Sequence, residues 1–139
     1  MLSHLVYISQ RKKSCTDSEI DRILDVCKKN NPVIGITGVL LYSPTQFIQY
    51  VEGDSRKLSV LYEKIKADTR HEQVRMISYG PITEKAFPSW HMAMKPVSQR
   101  DIDFRTDISP EDKQVFNGLL LGDQQDGSLV LQLLKKFFK

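Results

Sequence analysis

Only two cysteines, Cys15 and Cys27, occur in 139 residues, and they lie in no paired motif. That excludes a readable disulfide framework and fits a reducing compartment. The N-terminus has no apolar signal region, and no uninterrupted apolar run is long enough to span a bilayer. These absences point to the cytoplasm and away from a membrane protein. The three histidines, His4, His71 and His91, are scattered without metal-ligand spacing. Neither a nicotinamide-binding fingerprint nor an evident acid–base pair is present, which ranks a small reductase low. A net charge of +3 is too mild for a nucleic-acid binder, and Arg11-Lys12-Lys13 and Lys28-Lys29 read as solvated loop and helix-end residues. There is no internal repeat and no low-complexity linker.

What is present is ordinary for a globular protein: 40% hydrophobic and 27% charged residues in 16.0 kDa, one domain with a short helical appendage. Leu2–Gln10 reads as a strand with Leu5, Tyr7 and Ser9 on one face and Val6 and Ile8 on the other. Thr16-Asp17-Ser18-Glu19 is a capping box, and Ile20, Ile23, Leu24 and Cys27 follow at helical spacing. Pro32 is expected to stop that helix at Asn30-Asn31. Ile34–Tyr42 and Gln46–Glu52 then form a hairpin around Ser43-Pro44-Thr45. In its second strand Phe47, Gln49 and Val51 share one face, and Ile48, Tyr50 and Glu52 the other. Asp54 caps a second helix with the stripe Leu58, Leu61, Tyr62 and Ile65, ending near Asp68-Thr69-Arg70-His71. Val74–Gly80 and Ser89–Val97 read as further strands, the last with Trp90, Met92 and Met94 on one face.

This order predicts an α+β, ferredoxin-like βαββαββ arrangement, a mixed sheet with both helices on one face. The first strand and the hairpin are apolar on both faces, so two helices leave one face bare. Two C-terminal helices can cover it. One starts at Ser109-Pro110-Glu111, carries Val115, Phe116, Leu119 and Leu120, and ends at Gly122. The other opens at Asp126-Gly127 and carries Val130, Leu133, Leu134 and Phe137, with Lys135, Lys136 and Lys139 at its end. The expected division is a core at 1–98 and an extension at 99–139. A covered sheet face also disfavours an RNA-binding module, which needs exposed aromatics on a basic sheet face.

Tyr7, Gln49 and Trp90 or Met92 fall on one sheet face, with Asn31 near the first helix end and Arg70 and His71 near the second. A glutamine in an apolar strand needs partners, because a stranded buried amide costs on the order of 1–3 kcal/mol. A flat heteroaromatic ring between the helices would satisfy these groups together. Singly, each has a plainer reading: core tyrosine, edge glutamine, helix-stop asparagines, dipole-paired Arg and His, core Trp and Met.

Their ordered set resembles the BLUF family of flavin-based blue-light sensors. The matching blocks are Leu5-Val6-Tyr7-Ile8-Ser9, Asn30-Asn31 with Gly35–Tyr42, Phe47–Gly53, Asp68-Thr69-Arg70-His71 and Phe87-Pro88-Ser89-Trp90-His91-Met92. The resemblance implies FAD, FMN or riboflavin held non-covalently between the two helices. It implies Tyr7 as electron and proton donor and Gln49 as the amide whose rearrangement or tautomerisation records the photon. Asn31 would hydrogen-bond the polar edge of the ring, Asn30, Ile23 and Ile65 would line it, and Arg70 and His71 would lie near its pyrimidine side. Trp90 and Met92 would pass the signal on. It further implies a non-enzymatic photoreceptor that acts on a separate downstream protein, forms a homo-oligomer, and engages neither nucleic acid nor membrane.

Overall fold

The Thr16 side chain accepts the Glu19 N–H at 3.4 Å, so the capping box starts the first helix where the sequence places it. The structure is a computed structural model and describes residues 1–88, 92–96, 110–122, 124 and 126–137. The chain runs β1 (Leu2–Arg11), α1 (Asp17–Ile34), β2 (Thr37–Tyr42), β3 (Gln46–Asp54), α2 (Ser55–Ala67), β4 (His71–Pro81), β5 (Ala93–Pro96), α3 (Pro110–Leu121) and α4 (Gly127–Phe137). The sheet order is β4-β1-β3-β2-β5, antiparallel throughout except for the parallel β2–β5 pair. The ferredoxin-like α+β expectation holds, with one added strand.

Three local expectations are corrected. Pro32 does not stop α1, which continues to Ile34. The proline sits in the last turn, where its fixed φ is already helical and only one carbonyl loses a donor. Gly35, at φ +68, is the true stop: the N–H groups of Gly35 and Ile36 both turn back to the Asn31 carbonyl. Asn30 and Asn31 therefore lie within the helix, and β2 begins at Thr37, not Ile34. His71 belongs to β4, not to a helix end, because Gln10 and Arg11 extend β1 far enough to pair with Glu72 and His71. The register shifts in this pair, and Gln73 at φ +53 hides the strand's start from simple alternation. Of the expected last strand, Ala93–Pro96 is found; Trp90, His91 and the expected start at Ser109 lie outside the described residues.

Side chains of β1 and β3 alternate between two cores. On one face Leu5, Leu40, Phe47 and Val51 pack with Ile20 of α1 and Leu58 of α2. On the other, Val6, Ile8, Val39, Leu41, Ile48 and Tyr50 pack against Phe116 and Leu119 of α3 and Val130, Leu133 and Leu134 of α4. Leu119, Leu133 and Leu134 are wholly buried, and each contributes about 1.5–3 kcal/mol by leaving water. The C-terminal helices thus close the face that the two-sided apolar pattern left bare. Tyr50, the aromatic centre of that face, is buried and offers no platform for a base.

Candidate functional site

Tyr7 and Gln49 are direct cross-strand partners in the β1–β3 ladder, so their side chains rise together from the middle of the sheet on the α1/α2 side. Both are buried. The Tyr7 hydroxyl donates to Gln49 Oε1, and Gln49 Nε2 donates to Met92 Sδ at 3.5 Å. The amide is therefore engaged at both ends, strongly by a phenol and weakly by a thioether. Burial raises the Tyr7 pKa far above the ordinary phenol value, and nearby Cys27, Asp68 and Tyr62 push the same way.

Above this pair lies a cavity of about 540 Å³ between α1 and α2. The helical repeat brings Ile23, Cys27, Asn30, Asn31 and Ile34 of α1 to one wall; Leu61, Lys64 and Ile65 of α2 make the other. Tyr7, Gln49, Leu40, Phe47 and Met92 form the floor. Asn31 is buried at this wall, whereas Asn30 sits at the exposed end. The Cys27 thiol is pushed up to about 11 by burial, so it stays protonated at neutral pH.

Arg70 and His71 also border the cavity, each already committed to protein partners. Arg70 Nε donates to Asp68 Oδ1 at 2.9 Å, and its guanidinium lies 3.9 Å from Glu19. The Arg70 hydrogen bond holds the Asp68 carboxyl below the usual carboxylate range despite partial burial. His71 Nε2–H donates to the Ile65 carbonyl at the end of α2, which leaves Nδ1 to accept the Ser9 hydroxyl at 2.7 Å. His71 thus pins α2 to β1 in one tautomer.

The structure brings Tyr7, Gln49, Met92, Asn30, Asn31, Ile23, Ile65, Arg70 and His71 to one cavity, while Trp90 lies outside the described residues. Sequence reasoning missed Phe47, Leu40, Lys64 and Asp68 as lining groups and Ser9 as the partner of His71. Strand parity could have found Phe47, Leu40 and Ser9. Lys64 and Asp68 carried no signal beyond helix-end charge.

A 540 Å³ space falls within the roughly 300–1,000 Å³ usual for ligand sites. Its largely aliphatic walls, the buried asparagine on one of them, and the phenol and amide of its floor fit a flat ring with polar edges, as a flavin has. No group of three or more metal-ligating side chains occurs among the described residues, and no helix there is long and apolar enough to cross a membrane.

A family model described as sensors of blue light using FAD matches residues 2–93. The chain is similar to photoactivated adenylate cyclase subunit alpha of Euglena gracilis, 36% identical over 93 residues, which is 66% of this chain and 9% of the relative. It is 34% identical over the same length to the beta subunit from Euglena longa, covering 11% of that protein. The chain therefore spans about a tenth of the length of these curated relatives. Among solved structures it resembles the photo-activated state of BlsA, with a TM-score of 0.79 and 28% identity over 98% of this chain and 94% of that one. The dark state of BlrB matches at a TM-score of 0.70 and 26% identity, over 87% and 90% of the two chains.

Proposed function

Since the chain belongs to the BLUF family, whose members are sensors of blue light using FAD, we propose that Tyr7 and Gln49 are its photoactive pair. Asn30, Asn31, Ile23, Ile65, Arg70 and His71 would hold the flavin around them. The observation that carries this reading is the Tyr7 hydroxyl donating to Gln49 Oε1 at the floor of the cavity between α1 and α2. When bound there, the flavin supplies an oxidant on absorbing blue light; the remaining work falls to side chains. Tyr7 rests as a neutral phenol at any working pH, because burial disfavours the phenolate. It loses an electron readily only if its proton leaves too, and Gln49 Oε1 is the acceptor already in contact. The Gln49 amide has a donor end and an acceptor end, so turning it, or moving its proton, changes what it presents to Tyr7 and to the cavity. Resistance on the far side is small, since the bond to Met92 Sδ is weak. No covalent bond is needed in this cycle, so the dark arrangement would return unaided.

BLUF domains are photosensors, not enzymes, and the relatives named as adenylate cyclases are far longer than this chain. We assign residues 1–98 to sensing and 99–139 to output, with Met92 and Trp90, late in the sensing part, passing the signal on. The listener would be a separate downstream protein, the assembly a homo-oligomer, and the compartment the cytoplasm, which suits the two free thiols. The test is an absorption spectrum of the purified protein before and after blue light, followed in the dark. A flavin band that moves slightly red and reverts unaided is expected. Bleaching would point to reductase chemistry, and an unresponsive band would overturn the assignment of Tyr7 and Gln49.

A further inference from the structure

β3 carries Gln49 on the cavity face and, three residues on, Glu52 on the opposite face, where α3 and α4 pack. Glu52 is wholly buried, and nothing in the light-sensing site uses it. Its Oε1 accepts the Phe87 N–H at 2.6 Å; its Oε2 accepts the Ala86 N–H at 3.0 Å and the Tyr50 hydroxyl at 3.1 Å. A buried carboxylate is costly unless its lone pairs are filled, and here two adjacent backbone N–H groups of one loop, with the Tyr50 hydroxyl, fill most of them. Phe87 is buried edge-on to Tyr50 at 5.8 Å, in the same core as Phe116, Leu119 and Leu133. Five residues after Phe87 stands Met92, whose sulfur accepts from Gln49. Phe87 and Met92, close along the chain, are therefore held from opposite faces of β3, Phe87 by Glu52 on the face of the C-terminal helices and Met92 by Gln49 on the cavity face.

We propose that Glu52 is a positioning residue that couples the Gln49–Met92 contact to the packing of α3 and α4 by clamping the Ala86–Phe87 backbone. The inference rests on reading Gln49 as the switch. With the clamp in place, a shift at Met92 reaches Phe87 and the core it shares with α3 and α4. Without it, the loop absorbs the shift. A second arrangement is also available. Thr37 sits opposite Glu52 in the β2–β3 ladder, and its buried hydroxyl has no hydrogen-bond partner among the described residues. A Glu52 oxygen that loses a loop N–H thus has a neighbouring donor to turn to, as an element with two discrete arrangements requires.

The experiment compares the flavin-bound wild type with Glu52→Gln and with Ala86→Pro, which removes one loop donor and leaves the carboxylate intact. Two signals are read in the dark and under blue light: the flavin red shift, and hydrogen exchange of the amides in α3, α4 and the 86–87 loop. The same exchange measurement on flavin-free protein reads the clamp without any photochemistry. In Glu52→Gln the amide nitrogen cannot accept an N–H, so loop protection should fall by about tenfold or more, with or without flavin. The red shift should keep its wild-type size, while the light–dark difference in α3 and α4 should fall to less than about half. Ala86→Pro should reproduce the split in weaker form. A wild-type light–dark difference in α3 and α4 in both variants would overturn the coupling role. A variant that loses the red shift along with the helix response would make Glu52 merely structural and overturn it as well. Absence of a red shift in the wild type would instead refute the reading of Gln49, and this inference with it.

Discussion

A mutant cycle on Tyr7 and Gln49 reads the central pair through stability alone. Tyr7→Phe removes the donor to Gln49 Oε1 and leaves a buried amide end unpaired. Gln49→Leu removes the acceptor for the Tyr7 hydroxyl, together with the donor to Met92 Sδ, and strands the phenol. Each stranded group should cost about 1–2 kcal/mol, in the lower part of the usual range because the adjoining cavity admits water. The double variant has no stranded group in the pair. Its loss should be near that of one single variant, so the coupling is about 1–2 kcal/mol and the double is more stable than the sum predicts. Urea denaturation of the four flavin-free proteins, with equal slopes, gives these numbers. Additive losses within about 0.5 kcal/mol would refute a closed Tyr7–Gln49 pair. With flavin added, all three variants should bind it and none should give the reversible red shift; an intact shift in both single variants would count against the photochemical reading.

Further outcomes follow from the packing. Gly38 lies where an added Cβ would stand 2.1 Å from the Tyr50 carbonyl oxygen and 2.9 Å from the Val51 Cα. Gly38→Ala must push β2 off β3 beside Gln49, and should cost about 3 kcal/mol or more and weaken flavin binding, read by denaturation and flavin titration. Leu133→Ala, on the far face, should cost about 2–5 kcal/mol in the same denaturation assay and leave flavin affinity unchanged. His4 reports acid sensitivity. Its pKa is lowered from 6.5 by burial, against the opposing pull of the Gly80 backbone contact, Glu52 and Asp126. A depressed folded-state pKa means the unfolded chain binds the proton first. The stabilising contribution is then complete above about pH 6.5 and is lost as pH falls toward the folded value. Melting temperatures at pH 8 and pH 5.5 should diverge more in the wild type than in His4→Phe; equal slopes would remove His4 from the account.

The amino-acid sequence by itself determined the layers. Period-two alternation through Tyr7 and Gln49 set which side chains face the helices, and the capping box and Asp54 set where α1 and α2 begin. The apolar residues on both faces of β1 and β3 required a second cover, which the stripes of α3 and α4 supply. These are local signals, so they survive without coordinates. The end of α1 was misplaced because a proline in a last helical turn costs little, whereas a left-handed glycine with two N–H groups turned back to Asn31 ends the helix firmly. Only the tertiary structure decided which polar groups are consumed within the protein. His71 and Arg70 read alike as helix-end cations, yet one bridges Ser9 and Ile65 and the other is bound to Asp68. Glu52 read as one more polar residue on a strand face. Its three donors come from β3 itself and from a loop some 34 residues further along the chain, and no local pattern encodes a meeting of that range.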